Sequence, residues 1–296
     1  MSCLNYADMT EEQARQYLER LRWPDGPVCP HCSNKNIARL NGQAHRPGLY
    51  KCRGCRKQFS VTVGTIFERS HIPLRKWVMA TYMICTSKKG VSALQLQRML
   101  GLKSYKSAWF MAHRVRFAMR CEPLQSKLRG VLEADETYVG GKNIPGSKQG
   151  PGTLKTPVLA LVQRGGTVRT RVTNRVTPAN LRAFIDDNAD KRSTLMTDEL
   201  RAYRTIGRQF KRHGHVLHGA REFARGDAYT NTAESFFALL KRGMYGTFHH
   251  CGKQHLQRYC DEFAFRWDHR KASDHARTEV ALKAAPGKRL MYRQSV

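Results

Sequence analysis

The stretch Val131-Leu132-Glu133-Ala134-Asp135-Glu136-Thr137-Tyr138-Val139 decides how this chain is read. Its apolar and β-branched residues predict a strand. Yet it holds three acids, Glu133, Asp135 and Glu136. A carboxylate in a buried strand costs free energy unless it is paired or bound to metal. Working outward, Asp198 closes a second apolar run, Thr194-Leu195-Met196-Thr197-Asp198, and Glu234 opens an apolar helical stretch that Thr230 is placed to cap. We single out Asp135, Asp198 and Glu234 as the candidate site. On spacing alone, Glu133, Glu136 and Glu199 could exchange roles with them, and all six could be salt-bridge partners.

The rest of the chain is basic. Its 296 residues carry 52 Lys+Arg against 23 Asp+Glu, a formal charge of +29. An excess spread along the whole length implies a polyanionic partner, and nucleic acid is the first choice. Carboxylates kept in such a chain suggest divalent cations held against phosphate. Two-metal phosphoryl chemistry needs acids that converge from separate elements, and hard oxygen ligands favour Mg²⁺ or Mn²⁺, two per site. Glu234 falls in the first turns of its helix, where the dipole favours negative charge. Lys241 lies seven residues on, along the same helical face, in reach of a phosphate.

Two further patterns stand N-terminal to the acids. Cys29-Pro-His-Cys32 and Cys52-Arg-Gly-Cys55 form C-x2-C-x19-C-x2-C. Two tight turns of this kind complete a closed tetrahedral site, which predicts a zinc ribbon holding one structural Zn²⁺. His31, inside the first turn, is expected to face solvent. A helix before the ribbon is marked by Thr10 and Gln13 as a capping box. After it, residues 72–120 read as helices broken at Gly90 and Gly101, with Ser104 as a cap. This is a helix-turn-helix-like pattern in which Lys103, Lys106, Arg114, Arg116 and Arg120 are expected to reach phosphates. The cysteines Cys3, Cys85, Cys121, Cys251 and Cys260 have no ligand spacing. His213, His215 and His218, like His249-His250, are read as DNA-facing or structural.

Beyond residue 128 the texture changes to strands and then strand–helix alternation. A hairpin is expected from Pro157–Gln163 and Val168–Val176, a helix over Pro178–Asp187, and a strand over Ser193–Thr197. Another strand is expected at His215–His218, and helices through Glu234–Lys241 and Gln254–Arg270. The fold class is α/β, a mixed sheet with flanking helices. The expected division is an N-terminal helix (1–27), a zinc ribbon (28–64), a helical DNA-binding region (70–122), a catalytic domain (128–270) and a basic, partly loose tail (271–296). No segment is apolar for long enough to span a membrane. The N-terminus lacks a signal-peptide layout, and cysteines in metal spacing suit a reducing compartment. The expected location is cytoplasmic, with the nucleoid when bound to DNA.

Taken together, these motifs resemble a known family. Glu133-Ala-Asp135-Glu136-Thr137-Tyr138-Val139-Gly140-Gly141-Lys142 is similar to the first-aspartate motif of bacterial insertion-sequence DDE transposases, in the IS fifteen-ninety-five group that carries an N-terminal zinc ribbon. Thr197-Asp198-Glu199-Leu200-Arg201-Ala202-Tyr203 resembles the second-aspartate motif, and His215-Val216-Leu217-His218 the histidine strand after it. Asn231-Thr232-Ala233-Glu234-Ser235-Phe236-Phe237 with Lys241-Arg242-Gly243 resembles the third motif. Tyr259 to Trp267 resembles the helix that follows. The resemblance implies an RNase H-like core and a DDE site with two Mg²⁺. In it Asp135 and Asp198 are the aspartates, Glu234 the third acid and Lys241 the accompanying lysine. Some relatives use Asn as the third residue, so Asn231 competes with Glu234. The implied activity is cleavage at the ends of an insertion sequence and joining of the 3′-hydroxyl ends to target DNA. Double-stranded DNA (terminal inverted repeats and target) is the implied partner, with at least a homodimer in the active complex. The rival readings are an RNase H-like nuclease or resolvase that does not join strands, and a zinc-ribbon DNA-binding protein with an inactive core.

Overall fold

The computed structural model of the chain describes residues 6–120, 126–140, 155–216 and 229–291. It divides into two units, one of Met1–Met119 with Lys271–Val296 and one of Arg120–Arg270.

The first unit begins with α1 (Glu11–Arg22). Its capping box is complete: Thr10 Oγ1 accepts from the Gln13 N–H at 3.2 Å, and Gln13 Oε1 accepts from the Thr10 N–H at 2.8 Å. Three short antiparallel strands follow, β1 (Ile37–Leu40), β2 (Leu49–Cys52) and β3 (Gln58–Phe59), in the order β1-β2-β3. Trp23, Tyr50 and Phe59 pack ring on ring against them, with centroids 5.5–5.8 Å apart, and supply the small core that so short a sheet lacks. Helices α2 (Leu74–Thr86), α3 (Ala93–Met99) and α4 (Tyr105–Ala118) come next. Ser92 and Ser104 cap the last two, accepting from Gln95 and Ser107 N–H. Gly90 and Gly101 make the turns between them at φ of 91° and 55°, backbone that other residues adopt only with strain.

Two expectations fail in this unit. Arg114 and Arg116 do not reach phosphates, because both are buried. Arg114 donates to the Glu68 carbonyl at 2.5 Å and lies over the rings of Trp77 and Phe110. Lys103, Lys106 and Arg120 remain on the surface. Nor is the stretch after residue 270 merely a tail. Ser273 caps α9 (Asp274–Lys283), where Arg277 donates to the carbonyls of Cys85 and Ala272 at 2.9 and 3.0 Å. The charge-dominated sequence hid a short helix whose buried face is only Thr278, Ala281 and Leu282.

The second unit is built on a five-stranded sheet, β4 (Val131–Val139), β5 (Thr156–Gln163), β6 (Val168–Val172), β7 (Thr194–Thr197) and β8 (Arg212–His215). Its order is β6-β5-β4-β7-β8. The β4–β5 and β5–β6 pairs are antiparallel; β4–β7 and β7–β8 are parallel. Helices α5 (Pro178–Asn188) and α6 (Arg201–Gly207) flank β7 in sequence. Helix α7 (Asn231–Gly243), a π turn over Met244–Phe248 and α8 (Lys253–Asp268) close the unit.

Strand alternation sorts the core into two layers. Leu132, Ala134, Leu159 and Leu161 pack with Phe184, Ile185, Tyr203 and Ile206 of α5 and α6. Val139, Val158, Ala160 and Val162 pack with Phe236, Phe237, Leu240 and Phe263 of α7 and α8. β5 is buried on both faces, which is why it reads as one apolar run. Along the edge strand β6, α8 satisfies free N–H groups: Gln257 Oε1 accepts from Val172 at 2.7 Å and Asp268 Oδ1 from Val168 at 2.8 Å. The strand expected at His215–His218 lies three residues earlier, at Arg212–His215, because its pairing with β7 starts at Thr194↔Arg212; Leu217 and His218 lie outside the described residues. No helix among the described residues is long and apolar enough to cross a membrane.

Candidate functional site

Two groups of metal-ligating side chains converge among the described residues, one in each unit. In the first, Cys29, Cys32, Cys52 and Cys55 bring all four Sγ atoms within 4.8 Å of one another. The Cys29–Cys55 and Cys32–Cys52 sulfurs stand 3.6 Å apart. Thiolates at about 2.3 Å on a tetrahedral ion lie roughly 3.8 Å apart, whereas a disulfide holds its sulfurs near about 2.0 Å. The cluster therefore fits a structural zinc. The backbone N–H of Cys55 donates to Cys52 Sγ at 3.5 Å, a bond that favours the thiolate a metal needs. His31 is exposed.

In the second unit, oxygens of Asp135, Glu136 and Asp198 lie within 4.8 Å of one another. The sheet explains the meeting. The parallel register pairs Glu133 with Met196, so continuing it two residues sets Asp198, just past the end of β7, level with Asp135. This is the carboxyl end of the parallel strands, where open α/β sheets place their sites. Asp198 Oδ1 accepts from the Leu200 N–H at 3.1 Å, fixing the turn into α6. Tyr203 on α6 donates its hydroxyl to Glu136 Oε2 at 2.8 Å.

The electrostatics are those of crowded acids. Withdrawal from water and the charge of Glu136, then Asp198 and Glu234, raise Asp135 from 3.8 to about 8. Withdrawal from water and Asp198 raise Glu136 from 4.5 to about 7. A divalent cation relieves such repulsion. Oxygens on one Mg²⁺, at about 2.1 Å each, lie roughly 3–4 Å apart, so small side-chain rotations separate this arrangement from coordination. The donor set fits a hard cation.

The sequence-predicted acids are thus brought together in part. Asp135 and Asp198 converge. Glu234, exposed in the first turn of α7, lies outside the tight group, although its charge acts on Asp135. Asn231 is the first residue of α7 and is exposed. Lys241 is half-buried in the last turn of the same helix. Glu136 joins the group. Alternation along β4 argues against it, since neighbours on a strand point to opposite faces; only the end of β7 beside them lets both reach one place. Glu133 takes a different part: it is fully buried and bonded to Arg164, Thr232 and Ala233. His213 is structural, its Nε2 3.0 Å from Thr197 Oγ1. Its ring lies so close over Gly207 that a Cβ there would stand 2.2 Å away.

Comparison with known proteins bears on both groups. Residues 127–268 match the family model described as the ISXO2-like transposase domain. Residues 9–58 match the transposase zinc-ribbon domain. A Halobacterium salinarum protein described as "Uncharacterized protein in transposable element ISH50" is 30% identical over 251 residues, which is 79% of this chain and 83% of that protein. The chain belongs to the IS1595 transposase family. The IS1595 transposase domain spans β4 to the end of α8 and so includes Glu133, Asp135, Glu136, Asp198 and Glu234. The IS1595 zinc-ribbon match takes in α1 as well as the four cysteines, so helix and ribbon form one family module.

Proposed function

We propose that this member of the IS1595 family is a DNA transposase that cleaves the ends of an insertion sequence and joins the freed 3′-hydroxyls to target DNA. The observation that carries the reading is the convergence of Asp135 and Glu136, mid-way along β4, with Asp198 just past the carboxyl end of β7, in a transposase-family domain. The strand order, with three parallel strands and an antiparallel hairpin on one side, supports an RNase H-like core. Asp135 and Asp198 would hold the cations, Mg²⁺ or Mn²⁺, with Glu234 as the third acid and Lys241 set to receive a phosphate. Two such ions supply neutralisation of the attacked phosphodiester and activation of the attacking oxygen.

This chain's own residues do the rest. Asp135 and Asp198, brought together from β4 and the end of β7, present the carboxylate oxygens that would hold these ions. Tyr203 holds Glu136 by its hydroxyl. Water attacks the phosphodiester at the element's end and leaves a 3′-hydroxyl; that hydroxyl then attacks a target phosphodiester, one P–O bond forming as another breaks. The zinc ribbon and the helical region bind terminal inverted repeats, with exposed Lys103 and Lys106 among the phosphate contacts. Two ends in one complex require at least a dimer.

The test is an integration assay with end-bearing DNA and a supercoiled target in Mg²⁺. Joined products are expected from the native chain. Asp135→Asn and Asp198→Asn should each lower cleavage by at least about a thousandfold, near about 4 kcal/mol of barrier. Breaks without joined products would indicate a nuclease or resolvase. Cleavage absent throughout would indicate a DNA-binding protein with an inactive core, and cleavage unaffected by either change would not be made at these acids and would overturn the enzymatic reading.

A further inference from the structure

We propose that Glu133 is a positioning residue: it clamps the start of α7 to β4 and so sets Glu234 against Asp135. The proposal rests on the reading of Asp135 and Glu234 as cation ligands and adds the part that aligns them.

Glu133 is fully buried in the middle of the transposase domain. A buried carboxylate persists only where partners replace its water. Its Oε1 accepts from Arg164 Nε at 2.6 Å and from Thr232 Oγ1 at 2.9 Å. Its Oε2 accepts from the backbone N–H groups of Thr232 at 2.8 Å and Ala233 at 3.0 Å. Those two N–H groups belong to the first turn of α7, where no intrahelical acceptor exists. Thr230 at the N-cap makes no side-chain capping bond. The cap is therefore delivered from the sheet, by a charged acceptor facing the positive end of the helix.

The geometry ties this cap to the site at both ends. Glu133 and Asp135 are two residues apart on β4 and so lie on one face, the face where Val139 packs against α7. Ala233, whose N–H is held, immediately precedes Glu234. Two adjacent N–H groups on one oxygen fix both the start of α7 and its rotation. A slip of one residue turns the helix by about 100° and carries Glu234 away from Asp135. Arg164 completes the clamp: it donates to the Tyr229 carbonyl at 3.0 Å and lies 3.5 Å over the Tyr229 ring, holding the chain that leads into α7.

The test uses the full-length zinc-loaded chain and two readouts. Mn²⁺ binding is measured by electron paramagnetic resonance titration, with Asp135→Asn as reference. Amide hydrogen exchange is followed over residues 229–243. Glu133→Gln keeps the size but turns a donor toward groups that need an acceptor. Expected are faster exchange confined to the start of α7, Mn²⁺ affinity lowered by about 10–100-fold, and strand cleavage that recovers most of its rate at saturating Mn²⁺. Should Glu133→Gln fail to fold, Glu133→Gln with Arg164→Gln also removes the charge that Glu133 no longer balances and is expected to show the same losses. Unchanged exchange at 229–243, or faster exchange with native Mn²⁺ affinity, would overturn the clamp. Native Mn²⁺ binding that ignores Asp135→Asn would remove the acid-site reading itself, and the proposal with it.

Discussion

At the scale of single residues, the acids of the transposase domain are not equivalent, and burial with partners sorts them. Glu133 is neutralised by Arg164 and backbone N–H groups. Asp135 and Glu136 face other acids, and both are raised well above the ordinary carboxylate range. An acid whose folded value exceeds its unfolded value binds more protons when folded, so the metal-free chain loses stability as pH rises between those values. For Asp135 that window runs from 3.8 to about 8. Melting temperature measured across it is expected to fall with pH in a chelator and to fall less in Mn²⁺; Asp135→Asn should flatten the chelator curve. A melting temperature that rises over this range without metal would contradict the crowding. The sequence alone left Glu133, Asp135 and Glu136 interchangeable, because the partners that distinguish them, Arg164, Tyr203 and Thr232, come from distant parts of the chain.

At the scale of elements, helix starts repeat one device. α1, α3, α4, α5 and α9 are capped by the Thr or Ser just before them, and every one of those caps is local in sequence. α2, α6, α7 and α8 have no side-chain cap of their own. For α2, Glu11 of α1 accepts from the Leu74 and Arg75 N–H groups at 2.7 and 3.1 Å; for α7, Glu133 does the same. Thr10→Ala is expected to destabilise the first unit by about 0.5–2 kcal/mol, through loss of a local cap. Glu11→Ala should cost a comparable amount, although no pattern around residue 74 announces it. Urea unfolding monitored by tryptophan fluorescence checks both, and a Glu11→Ala midpoint equal to the native one would show the cross-element cap to be idle. The starts of α1 and α4, set by the local caps Thr10 and Ser104, were legible from the sequence, whereas Thr230, expected to cap α7, makes no side-chain capping bond. The burial of Arg114 and Arg116 was not legible, because it depends on distant packing partners, and α9 was hidden despite its local Ser273 cap because only three of its residues are buried.

At the scale of the whole molecule, the zinc cluster and the acids belong to different units, so their metals should be separable. Removing zinc with a strong chelator is expected to disturb the Trp23–Tyr50–Phe59 ring cluster and its fluorescence. Mn²⁺ added afterwards should still bind the acids. Metal analysis of the purified chain should give about one zinc per chain. The charge of +29 also has a global readout: affinity for duplex DNA should fall roughly 10³–10⁵-fold between about 50 and 200 mM salt if about six to ten phosphates are neutralised. A salt-independent affinity would exclude the basic surface as the DNA contact. The sequence by itself determined the zinc-ribbon spacing, the strand and helix pattern, the basic character and the family, because ligand spacing, period and charge are properties of neighbours along the chain. Only the tertiary structure decided which acids meet and which acid holds a helix in place. Those outcomes depend on the parallel register of β4 with β7 and on α7 lying against β4, and no stretch of sequence contains both partners.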